Sequence, residues 1–118
     1  MSEVTVISAP APCTFEEMRR RTRPVLDRAG AKRAIVFGSW ARGEADGFSD
    51  LDLAVVMDTD LPPRERALPL ARELDQALPV VVDLLVYTPD EFAACEADGF
   101  GVFDLLRREG VEILGEAR

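Results

Sequence analysis

The stretch "RAIVFGSWARGEADGFSDLDLAVVM", residues 33–57, decides the fold. Two short apolar runs bracket it, residues 34–37 and 51–57, and each reads as a buried strand because it is too short for a helix and is bounded by glycine or polar residues. Between them lie Gly38, then Gly43 and Gly47, which read as setting the bends, together with Glu44 and Asp46, which read as solvated. Asp50 and Asp52 stand at the entry to the second run. Residues two apart in a strand point to the same face, so these two acids project together while Leu51 and Leu53 enter the core. Their side chains start about 7 Å apart, two rises of roughly 3.3 Å. Like charges at that separation beside an apolar sheet are destabilising unless they are solvated, protonated or bridged by a cation.

Downstream, residues 62–78 place Leu68, Leu70, Ala71, Leu74 and Leu78 at near-helical spacing behind a proline pair, with Pro69 interrupting the interior. "PVVVDLLVY", residues 79–87, reads as a third strand with Asp83 at its centre. Residues 88–110 give one or two short helices, with Thr88 as N-cap and Gly110 as terminator, and "VEIL" at 111–114 is a last strand. Upstream, Thr14 and Glu17 form a capping-box signature for a helix that runs to Gly30, with Pro24 expected to kink or split it. Residues 1–13 read as a loose N-terminal arm or a short edge strand. The expectation is therefore one α/β (α+β) domain over residues 14–118, a small mixed sheet of three to four strands flanked by helices.

Composition narrows the chemistry. The 118 residues suffice for one core, and 14 basic against 22 acidic side chains leave a net charge of −8, which repels a phosphate backbone, so direct nucleic-acid binding is not expected. Residues 14–33 are locally basic, with Arg19, Arg20, Arg21, Arg23, Arg28, Lys32 and Arg33; a solvated helix face accounts for them better than a nucleotide or RNA site does. The chain has no histidine, which removes Ser-His and Cys-His catalysis, and Cys13 and Cys95 form neither a disulfide framework nor a zinc ligand set. No apolar run is long enough to span a membrane, and the first residues do not read as a signal peptide, so a cytoplasmic protein without membrane association is expected.

Asp83 strengthens the case for a metal, because an acid within "VVVDLLV" is hard to explain as surface decoration unless that strand is an edge or has an exposed face. If the second and third strands pair, three carboxylates meet, and such a set favours a hard divalent ion, Mg2+ or Mn2+. The competing readings are a solvated strand entry for Asp50 and Asp52, and for Asp83 a buried structural acid paired to Arg42. Gly38 and Ser39 follow a strand and open a helical turn, an arrangement that aims backbone amides at an anion, although Gly-Ser alone is more often a simple turn. No P-loop pattern is present.

Gly38-Ser39, ten residues, then Asp50-Leu51-Asp52, with a third acid on a later strand, resembles the pattern of the DNA polymerase β-like nucleotidyltransferases. "GSWARGEADGFSDLDLAVV" and "VVVDLLVYTPDEF" are similar to the corresponding segments of their small stand-alone members, the minimal nucleotidyltransferase (MNT) domains, over roughly residues 14–115. The resemblance implies transfer of AMP from ATP to an acceptor hydroxyl with release of pyrophosphate. It implies Asp50 and Asp52 as ligands of two Mg2+ ions, Asp83 as ligand of the catalytic ion and aid to acceptor deprotonation, and Gly38 and Ser39 as binders of the β- and γ-phosphates. Arg42 either contacts phosphate or locks the loop to an acid. Trp40 holds a variable position, where packing or a partner contact is favoured over base stacking.

Stand-alone domains of this size are similar to the antitoxin of HEPN/MNT toxin-antitoxin pairs. The implied partner is a HEPN-domain RNase toxin, neutralised when a tyrosine is adenylylated, with oligomerisation arising through that complex. Two other readings stay open: an MNT fold that neutralises the toxin by binding alone, and a subunit of a small-molecule nucleotidyltransferase.

Overall fold

The computed structural model describes residues 9–114. In chain order the elements are α1 (Phe15–Ala29), β1 (Arg33–Phe37), α2 (Ser39–Arg42), β2 (Leu51–Val56), α3 (Pro63–Ala77), β3 (Val82–Tyr87), α4 (Pro89–Asp98), α5 (Val102–Glu109) and β4 (Val111–Leu114). The four strands form one mixed sheet in the order β3-β2-β1-β4. β1 runs antiparallel to β2 and β4, whereas β2 and β3 are parallel, joined by the α3 crossover. The expected α/β architecture is the observed one.

Alternation along the two central strands divides the core. Ala34, Val36, Leu51, Leu53 and Val55 pack with Met18, Leu26, Leu70 and Leu74 of α1 and α3. Ile35, Phe37, Ala54 and Val56 pack on the other face with Phe92, Phe103 and Leu106 of α4 and α5. Asp52 shares the parity of Ala54 and Val56, so it belongs to the α4/α5 face.

Helix ends follow the local signals. Thr14 and Thr88 both cap with their hydroxyls and receive the reciprocal Glu17 and Glu91 contacts, so each is a complete capping box. Pro24 does not split α1, and Pro69 likewise lies inside α3. Of the expected N-terminal arm, residues 1–8 lie outside the described residues. Ala9 accepts from the Gly47 amide at 2.8 Å and Pro10 forms an isolated bridge with Asp46.

The third strand departs from expectation. It begins at Val82 rather than residue 79, so Asp83 sits near its start instead of its centre. β3 is an edge strand, and Asp83 is exposed. The inference from burial therefore fails, and with it the reading of a buried acid paired to Arg42, whose partners lie elsewhere. An isolated run of β-branched residues is the same in an edge strand and a central one, so periodicity had no means of separating them.

Candidate active site

β1 is followed at once by Gly38, whose φ of 73° and ψ of −153° suit only glycine. The chain then turns at once into α2, where Gly38 O accepts from the amides of Ala41 and Arg42 at 3.0 and 3.1 Å. Among the described residues, the amides of Ser39 and Trp40 have no hydrogen-bond partner. Such orphan donors at a helix start favour an anion.

Gly38 is also fixed against β2. A Cβ at this position would lie 2.2 Å from Asp52 Oδ2, so the glycine backbone rests directly on that carboxylate. Asp52 in turn pairs with Phe37 of β1 and stands in register with Asp83 of β3. Asp50 precedes β2 by one residue and is exposed. The sheet therefore brings Gly38, Asp52 and Asp83 onto three adjacent strand ends, with Asp50 beside them.

The electrostatics of this corner are one-sided. Burial pushes the Asp52 carboxyl above its usual range, Asp83 and Asp50 push it further, and Arg42 acts in the opposite direction. Among the described residues, none of the three acids is in a salt bridge. Three unneutralised carboxylates on one sheet end suit an oxygen-seeking divalent cation. Their side chains are not drawn together: among the described residues no group of three acids, cysteines or histidines has metal-ligating spacing. The donor set fits a hard metal ion by type and charge.

Arg42 is occupied. Its Nε donates to Glu44 Oε1 at 2.9 Å, and its Nη1 reaches both Glu109 oxygens at 3.2 and 3.3 Å. Glu44 is thus paired rather than simply solvated, and Asp46 closes the loop by accepting from the Phe48 amide and the Ser49 hydroxyl. Trp40 is buried at 4% exposure within the α1/α3 core, in agreement with a packing role.

Glu109 is the site residue that sequence reasoning missed. It lies in the last turn of α5, and its Oε2 accepts from the Gly38 amide at 2.7 Å. That amide, followed by Arg42, holds the Glu109 carboxyl below its usual range. One signal was present: an acid in the last helical turn opposes the helix dipole, which favours the neighbouring Arg107 and Arg108 there.

Residues 19–109 match the family model of the nucleotidyltransferase domain, and the chain belongs to that family. It is 38% identical over 76 residues to a protein of Methanocaldococcus jannaschii provisionally named a protein adenylyltransferase, an overlap of 62% of this chain and 77% of that one. A solved structure provisionally named a minimal nucleotidyltransferase superposes with a TM-score of 0.60 at 31% identity, covering 86% of this chain and 97% of the other. The fold also matches a structure of tri-AMPylated Shewanella oneidensis HEPN toxin in complex with MNT antitoxin. There the TM-score is 0.56 at 20% identity, over 87% of this chain and 74% of the other. Among the described residues no helix is long and apolar enough to cross a membrane.

Proposed function

We propose that this chain transfers AMP from ATP to a hydroxyl, most naturally a tyrosine, of a HEPN RNase toxin, and so acts as its antitoxin. The observation that carries the proposal is the register of Asp52 against Asp83 beside the Gly38 backbone. The relative provisionally named a protein adenylyltransferase supports the reaction class, and the AMPylated toxin bound to an MNT antitoxin is the precedent for the partner.

Gly38 opens the helical turn, and the Ser39 amide and hydroxyl, with the Trp40 amide, receive the β- and γ-phosphates. Asp50 and Asp52 would hold Mg2+, or Mn2+ in its place, and Asp83 would contribute to the second ion. When bound, the ions neutralise charge on the triphosphate and stabilise the attacking and leaving oxygens. The acceptor oxygen forms a bond to the α-phosphorus, the bond to the bridging oxygen breaks, and pyrophosphate leaves. Asp83, exposed at the strand edge, takes the acceptor proton. Arg42 braces the loop through its two acid partners, one alternative of its sequence reading.

Co-expression with the HEPN protein, followed by intact-mass measurement, tests the reading. One or more AMP additions to the partner are expected, lost in Asp50→Ala. An unmodified partner from the wild-type pair would count against catalysis. If Asp52→Ala then still protected cells from the toxin, neutralisation would rest on binding alone.

A further inference from the structure

We infer that Glu109 is a positioning residue for the triphosphate loop, with Arg42 as its counter-ion. The inference rests on the nucleotidyl-transfer reading for its choice of ligand, although the bracing itself is a matter of geometry. Phe103 and Leu106 seat α5 beneath Ile35 and Phe37 of β1. At the helix end Gly110 is packed so closely that a Cβ would meet Leu106 O at 2.4 Å and Ile35 Cγ2 at 2.7 Å. The Glu109 backbone is thus anchored to the strand that delivers Gly38.

Its side chain, only 17% exposed, spans from that anchor to the Gly38 amide and the Arg42 guanidinium. Gly38 is therefore confined twice: its amide donates to Glu109, and the Asp52 carboxylate fills the space a Cβ would need. This consumes the Gly38 amide and leaves those of Ser39 and Trp40 for an anion. An unpaired carboxylate here would repel a triphosphate, and Arg42 offsets that charge. Glu109 touches no reacting atom in this account. It sets the direction in which the free amides point.

The test compares Glu109→Ala, Glu109→Gln, Arg42→Ala and the double alanine variant, each checked for folding by thermal melt. KM for ATP, kcat and hydrogen exchange of the Gly38 amide are measured. Loss of a charge-assisted bond to the amide predicts a rise of about tenfold in KM for Glu109→Ala, with a smaller change in kcat. Gly38 exchange should accelerate by a comparable factor. Glu109→Gln retains an acceptor oxygen and should recover part of both effects. The double variant should be no worse than Arg42→Ala, because removing the arginine alone strands a carboxylate.

Unchanged KM and unchanged Gly38 exchange in a folded Glu109→Ala protein would overturn the inference. So would tighter ATP binding, which would make Glu109 a competitor of phosphate. If Glu109→Ala does not fold, the glutamine variant decides: Glu109→Gln that changes neither KM nor Gly38 exchange, in the wild-type protein and in Arg42→Ala alike, would overturn the brace. A wild-type protein that does not use ATP would instead refute the nucleotidyl reading, and Gly38 exchange would still decide the brace.

Discussion

Asp52 occupies the space that a side chain at Gly38 would need: a Cβ there would meet its Oδ2 at 2.2 Å. The end of β1 and the first acid of β2 thus approach so closely that no side chain fits between them. Gly38→Ala must move that carboxylate and also adopt a positive φ. The backbone strain alone predicts a loss of about 1–3 kcal/mol in a urea titration. AMP transfer should fall beyond what the loss of folded protein explains, since both the phosphate loop and Asp52 are displaced. A fully active, equally stable variant would contradict this contact.

Asp83 is exposed on an edge strand, so its removal should leave the fold intact. For Asp83→Asn we expect stability within about 0.5 kcal/mol of wild type by chemical denaturation. Transfer should drop about 100-fold or more, as for loss of an acid-base group. A destabilised but active variant would point to a structural acid instead.

Trp40 is buried with its indole N–H unpartnered among the described residues. Trp40→Phe removes that donor while keeping an aromatic body, so the melting experiment should show a change of under about 1.5 kcal/mol. KM for ATP should stay near wild type. A large rise in KM with stability unchanged would return the residue to base stacking.

Glu91 links the start of α4 to α3 through Arg66, and the Arg66 guanidinium and the Thr88 amide hold its carboxyl below the usual range. A lowered folded pKa means that the stabilisation is complete above the unfolded value, about 4.3, and is lost as pH falls through the folded one. The stability difference between wild type and Glu91→Gln should therefore be constant near neutrality and shrink in acid below that range. A difference that grows on acidification would reverse the sign of this account.

Much of the fold was legible because local signals agreed with one another. The Thr14 and Thr88 capping boxes, the glycine closing β1 and the apolar runs of β1 and β2 each depend on residues close in sequence. The grouping of the candidate residues Gly38, Ser39, Asp50 and Asp52 at one end of the sheet was legible for the same reason, since a single turn and strand entry carry all four. Asp83 was singled out on two grounds: the expectation of burial lapses because its strand is an edge, whereas the conditional pairing of the second and third strands is observed, as a parallel register that α3 and the sheet order determine. Glu109 was hidden because it reaches Gly38 across 71 residues. Only its misfit with the helix dipole marked it out.

The central claim is transfer of a nucleoside monophosphate, and the position of the label in ATP tests it most directly. Purified protein, Mg2+ and the HEPN partner are incubated in parallel with ATP labelled on the α-phosphate and ATP labelled on the γ-phosphate. The account predicts that only the α-label becomes attached to the partner, and that Asp50→Ala and Asp52→Ala abolish it. Attachment of the γ-label, or of neither label by the wild-type protein, would contradict it.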